Sequence, residues 1–150
     1  MKFNKEIHVE GKLISSMSPT FVIAEAGVNH GGNMFFAKKL IDLAVEAKAD
    51  AVKFQTFKAE HLILSDIQKA PYQKNTTDAR ESQFDMLKKL EVTREQNLEL
   101  KRYCIDKGII FLTTPFDEES LEELDELDLP AYKVASTDTT NLPFLKKIAK

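Results

Sequence analysis

Phe21-Val22-Ile23-Ala24-Glu25-Ala26-Gly27-Val28-Asn29-His30-Gly31-Gly32-Asn33 decides the fold. Its first six residues are a short apolar run of β-formers. The run breaks at Gly27 and again at the pair Gly31–Gly32, and Asn33 is placed to cap a helix. The spacing predicts that helix from about Met34 to Ala47. Ala37, Leu40, Ile41, Ala44, Val45 and Ala47 recur at helical period, and Lys38, Lys39, Asp42, Glu46 and Lys48 take the other side. Asp50 then leads into Ala51–Phe57, a second strand. Strand, turn, helix and strand in this order form a crossover unit with parallel strands.

The pattern repeats downstream. Residues 58–82 have no clear period and read as a long loop with one helical turn, a length that is usually functional. Helical signals resume at Phe84–Leu87. Thr93 with Gln96 fits a capping box opening a helix to about Lys107, which Gly108 stops. Ile109–Pro115 is the third strand, Leu121–Leu127 the next helix, begun at Asp117 or Ser120, and Pro130–Ser136 the fourth strand. Asn141–Leu142–Pro143 starts a helix expected to be still running at Lys150. Upstream, Ile7–Glu10 and Lys12–Ile14 flank Gly11 as a short hairpin, and Ser15–Pro19 is a polar break. The fold class is α/β, with four β/α units (residues 21–150) after an N-terminal extended or hairpin segment (residues 1–20). Both a doubly wound sheet and a (β/α) barrel fit this order, and four units are half of an eightfold barrel of roughly 250 residues.

Composition narrows the function classes. At 43% hydrophobic and 30% charged, the chain can pack a core and is not a disordered segment. Its formal charge of −3, without a basic run above the acidic background, does not favour nucleic acid. The single cysteine, Cys104, cannot form a disulfide within the chain and reads as a small buried hydrophobe. No window has the length or hydropathy of a signal peptide or a membrane span, so the cytoplasm is the expected location. His8 and His61 lack partners at metal-ligand spacing and read as surface residues. Glu118–Glu126 reads as a solvated helix face whose acids suit the helix start.

The strand ends carry the chemistry. The first offers Glu25, then Asn29 and His30; the second Lys53 and Gln55; the third Thr113 and Thr114; the fourth Lys133 and Ser136. Lys53 and Gln55, two apart on a strand, share a face. Lys53 and Lys133 each interrupt an apolar strand, where a buried ammonium needs a negative partner. Two such lysines in equivalent places point to a shared anion, with hydroxyls beside them as donors. Glu25 is the candidate proton carrier. His30 fits either a catalyst or a hydrogen bond that fixes its own loop.

These strings together resemble the N-acetylneuraminate (sialic acid) synthase family. The likeness rests on residues 21–33, Ala49–Phe57, Phe111–Phe116 and Pro130–Ser136, in that order. It extends to the legionaminic acid and spore-coat polysaccharide synthases. The resemblance implies the N-terminal half of a TIM (β/α)8 barrel that condenses phosphoenolpyruvate with an N-acetylmannosamine-like amino sugar, with water entering and phosphate leaving. Residue by residue, it implies an acid/base role for Glu25 and phosphoenolpyruvate contacts from Lys53, Thr114, Lys133 and Ser136. It implies sugar contacts from Gln55 and, in the long loop, Asn75. It also implies a divalent metal, Mn²⁺ or Mg²⁺, whose histidine ligands lie beyond residue 150, and a full-length homodimer with a C-terminal antifreeze-like domain. Where the family often has Ser-Gly-Glu, this chain has Ser136–Thr137–Asp138, which bears on the choice of sugar.

On this reading the chain is part of a protein more than twice as long, inactive alone because half a barrel leaves open strand edges. Two other readings compete with it. One is a different phosphoenolpyruvate-condensing barrel making 3-deoxy sugar acids. The other is a non-catalytic half-barrel that binds an anion or a partner chain.

Overall fold

The computed structural model describes residues 4–64 and 81–150. The N-terminal segment is the expected hairpin. Strands β1 (Glu6–Val9) and β2 (Lys12–Ser15) pair antiparallel around Glu10 and Gly11, both in the left-handed region. Left-handed residues at both central positions match the twist of the flanking strands, which is why a two-residue loop closes here.

The main sheet is parallel, in the order β3 (Ile23–Gly27), β4 (Ala51–Thr56), β5 (Ile110–Pro115). Helix α1 (Met34–Glu46) connects β3 to β4, and the Asn33 side chain caps its first turn by accepting from Phe35 N and Phe36 N. A one-turn helix α2 (Ala59–Leu62) follows β4, and α3 (Gln83–Lys88) precedes α4 (Arg94–Lys107). The capping box of Thr93 and Gln96 is formed, and Gly108 ends α4 at φ 71. Helix α5 (Glu118–Asp125) follows β5 with Asp117 as its cap, and α6 (Leu142–Ile148) closes the described chain.

Two sequence expectations change. Pro130–Ser136 does not form a ladder strand: one bridge joins Tyr132 to Thr113, supported by Lys133 N donating to Thr113 O at 3.4 Å. Pro130 has no N–H to donate, and Asp128 enters the segment with a positive φ. A run of β-formers becomes a strand only where a neighbour accepts its hydrogen bonds. Helix α6 ends at Ile148, with Ala149 already outside helical geometry, so it is not still running at Lys150.

The sheet has two different faces. Val52, Phe54 and Phe111 pack with Ala37, Ile41, Ala44, Leu100 and Cys104 of α1 and α4. Cys104 is fully enclosed there, and burial pushes its thiol up to about 12, the behaviour of an inert core residue. Among the described residues, the other face carries no helix. Toward the N-terminal ends of its strands, Ala51, Ile110 and Leu112 pack with Val9 of the hairpin and with Ile14, Phe21 and Ala131. Asp50 ties the hairpin in place, accepting from Lys12 Nζ and from Val22 N. The hairpin therefore covers one end of this face and leaves the C-terminal strand ends for the site. Among the described residues, no helix is long and apolar enough to cross a membrane.

Candidate active site

Register decides which strand-end residues meet. Glu25 is opposite Lys53, and Gln55 is opposite Thr114. In a parallel pair, opposed residues share a face, and alternation keeps Lys53 with Gln55. All four thus project from the face without helices, beyond the apolar layer that the hairpin covers.

Lys53 is 5% exposed, and its Nζ donates to Glu25 Oε1 at 2.7 Å. The pair is lopsided, because the Glu25 side chain is 57% exposed. A buried ammonium tied to one accessible carboxylate is a fixed positive charge with its remaining donors available to an incoming anion. Thr114 adds a second feature: its hydroxyl is fully buried and has no hydrogen-bond partner among the described residues. A buried hydroxyl left without a partner costs about 1–3 kcal/mol, so Thr114 offers a donor and acceptor to a polar ligand atom.

Lys133 and Ser136 stand differently from Lys53. Ala131 packs against the same apolar cluster as Leu112, so alternation along the extended segment puts Lys133 on the face of Lys53. In this chain Lys133 is exposed, contrary to the expected buried lysine, on a segment joined to the sheet by a single bridge. Ser136 is exposed at the start of a 3₁₀ turn, Ser136–Asp138. Asn75 lies outside the described residues.

The turn after β3 is held from within. His30 is almost wholly buried, and its Nδ1 accepts from Gly32 N at 3.0 Å. Accepting through Nδ1 requires the neutral Nε2–H tautomer, and burial lowers the pKa of the ring accordingly. The Nδ1 contact is the loop-fixing one of the two roles open to His30, while its buried Nε2 has no hydrogen-bond partner among the described residues. Gly32 cannot be replaced without disturbance, since a Cβ there would stand 2.1 Å from Lys89 O.

Three arrangements escaped the sequence reading. Thr56, Thr113 and Asn97 form a wholly buried polar chain on the helix side: Thr56 Oγ1 donates to Asn97 Oδ1 at 3.2 Å and lies 2.9 Å from Thr113 Oγ1. Asn97, at the i, i+3, i+7 spacing of Leu100 and Cys104, was the available signal. Asp117 accepts from Lys58 N, Ser120 N and Ser120 Oγ, and lies 3.4 Å from His61 Nδ1. His61 thus has a carboxylate partner, although 56 residues separate the two in sequence. Gly27 is the third, its missing side chain facing Glu25 and Gln55.

Comparison with known proteins bears on this face. The chain is 51% identical over 134 residues to N,N'-diacetyllegionaminic acid synthase of Campylobacter jejuni, covering 89% of this chain and 40% of that protein. To the N,N'-diacetyllegionaminic acid synthase of Legionella pneumophila it is 45% identical over 135 residues, covering 90% and 38%. Its backbone superposes on the crystal structure of N-acetylneuraminic acid (sialic acid) synthetase from Leptospira borgpetersenii with a TM-score of 0.78 at 34% identity, over 93% of this chain and 44% of that one. The chain therefore spans about two fifths of the length of the relatives it matches. A family model described as the NeuB family matches residues 40–150, and the chain belongs to that family.

Proposed function

We propose that this chain is the first half of the catalytic barrel of a nonulosonic acid synthase. The full-length protein would join phosphoenolpyruvate to an N-acetylated amino sugar, with water entering and phosphate leaving. Residues 1–20 would close the lower end of the barrel, and residues 21–150 would supply four of its eight β/α units. The observation that carries the reading is the convergence of buried Lys53, accessible Glu25, Gln55 and the unpaired Thr114 hydroxyl on one face.

Phosphoenolpyruvate carries a phosphate and a carboxylate. Lys53 meets such an anion with a charge already desolvated by the fold, and Thr114 offers it a hydroxyl that needs a partner. Lys133 and Ser136, accessible at the rim, complete the anion's contacts. Glu25 is held by the Lys53 ammonium and is open enough to reach the reacting carbons as the acid/base residue. Gln55 and Asn75 orient the sugar. The reaction also calls for a group that polarises the sugar aldehyde, and Mn²⁺ or Mg²⁺ supplies that chemistry. The ligands of that metal are expected beyond residue 150. The higher identity to the two legionaminic acid synthases than to the sialic acid synthetase favours a 2,4-diacetamido sugar over N-acetylmannosamine. The protein is expected to act in the cytoplasm, as a homodimer.

Phosphate release from phosphoenolpyruvate by the full-length protein, with Mn²⁺ and each sugar in turn, tests this. The expected result is turnover with the 2,4-diacetamido sugar, slower turnover with N-acetylmannosamine and none with the 150-residue chain alone. Absence of turnover with either sugar would remove the proposal.

A further inference from the structure

All five glycines of the chain have positive φ, but their missing side chains face different things. A Cβ on Gly11, Gly31 or Gly108 would meet nothing within 4 Å, and one on Gly32 would meet backbone. At Gly27 it would stand 2.9 Å from Glu25 Oε1 and 3.5 Å from Gln55 Nε2. The Glu25 carboxylate rests against the bare face of Gly27, with the Gln55 carboxamide beside it and the Lys53 ammonium 2.7 Å away. The backbone is shaped for this: the β3–β4 register shifts between Glu25 and Gly27, and Gly27 takes φ 54.

We propose that Gly27 is a positioning residue, whose lack of a side chain forms the seat that holds the Glu25 carboxylate against Lys53. This deepens the reading of Glu25 as the acid/base residue and rests on it. If a methyl group occupied the seat, either the backbone or the carboxylate would have to move. Residues on both sides of Gly27 are fixed, Gly27 by its pairing with Phe54 and the following turn by Asn29 N donating to Ala26 O at 3.1 Å. The carboxylate is the end of a flexible, mostly exposed side chain, so it yields. The fold then loses little beyond the strain of a left-handed alanine, while the reacting group is displaced by a distance that matters to catalysis.

The structure supplies its own control. Gly108 has φ 71 with open space around it, so Gly108→Ala imposes the same backbone strain far from the site. In the full-length enzyme, Gly27→Ala is expected to lower kcat by about a hundredfold with little change in the KM for phosphoenolpyruvate. Gly108→Ala should leave kcat unchanged while lowering Tm by a similar amount. A crystal structure of Gly27→Ala should show Glu25 out of hydrogen-bond reach of Lys53. Gly27→Asn repeats the test should the alanine variant not fold, since asparagine tolerates the left-handed region and still carries a Cβ. A kcat for Gly27→Ala equal to that of Gly108→Ala, or an unmoved Glu25–Lys53 contact, overturns the proposal. Glu25→Gln, assayed alongside, separates the two levels. Wild-type turnover in Glu25→Gln would remove the role of Glu25 and that of Gly27 with it. Loss of turnover there, with Gly27→Ala matching Gly108→Ala, would remove the Gly27 role alone.

Discussion

Replacing Asn97 by leucine tests whether the buried polar chain holds the site's strands together. The direction of that chain is set by its ends. Asn97 Nδ2 donates to Thr93 O at 3.2 Å, so Oδ1 must face Thr56 and accept its proton. Thr56 then accepts from Thr113. Leucine has nearly the shape of asparagine, so Asn97→Leu leaves little cavity but removes the terminal acceptor. Two hydroxyls alone can share one bond, and one buried proton is left without an acceptor. Thr93 O keeps its bond from Asn97 N, so the loss is confined to the hydroxyls. One orphaned group predicts a destabilisation of about 1–3 kcal/mol. In the wild type Thr56→Val orphans both the Thr113 hydroxyl and Asn97 Oδ1, whereas in the Asn97→Leu background it leaves one unpaired hydroxyl, as before, so it should cost about 1–2 kcal/mol less there. Urea unfolding of the full-length protein and the three variants, followed by circular dichroism, gives the cycle. Additivity of the two substitutions within about 0.5 kcal/mol would refute the argument.

Three further outcomes are expected. Thr114→Val should leave stability unchanged or raise it by up to about 1 kcal/mol, because it deletes an unpaired buried hydroxyl. The same variant should raise the KM for phosphoenolpyruvate at least about tenfold, measured by steady-state kinetics, because a charge-assisted bond to the ligand is lost. Gly32→Ala should destabilise by about 3 kcal/mol or more, since the clash at Lys89 O is with backbone, whereas Gly31→Ala should cost only about 1 kcal/mol; thermal melts separate them. His30 has a folded pKa below its unfolded value of about 6.5, so the unfolded state takes up the proton first. Stability from His30 is therefore full above that value and declines as pH falls below it, toward the folded pKa. His30→Gln should flatten this part of the Tm–pH curve, and an unchanged slope would assign the titration to another group.

What the sequence disclosed depended on the range of the signal. Helix α4 was legible to within a residue because its capping box and its left-handed glycine are both local. Pro130–Ser136 misled because strand composition is local while pairing is not, and a single bridge to Thr113 formed. In the site, Lys53 and Gln55 were placed on one face by alternation alone. Thr113 and Thr114 were both singled out, but their opposite roles needed the register with β4: Thr113 joins the helix-side chain and Thr114 faces the site. The exposed state of Lys133 in this chain is not announced by the apolar residues around it. Gly27 was read only as a chain break, since a glycine's neighbours in space are invisible in one dimension.

The face without helices has a polarity that changes along its length. Ala51 precedes Lys53 and Gln55 on β4, and Ile110 and Leu112 precede Thr114 on β5. The hairpin seals the greasy end, and Lys53, Gln55 and Thr114 stand toward the other. Tolerance to substitution should therefore be a function of two coordinates, parity and depth. A saturation scan scored separately for abundance and for turnover would show the two scores diverging only at alternate positions, and only in the upper half of each strand. Such a scan would draw the boundary between folding and chemistry through the middle of individual β-strands.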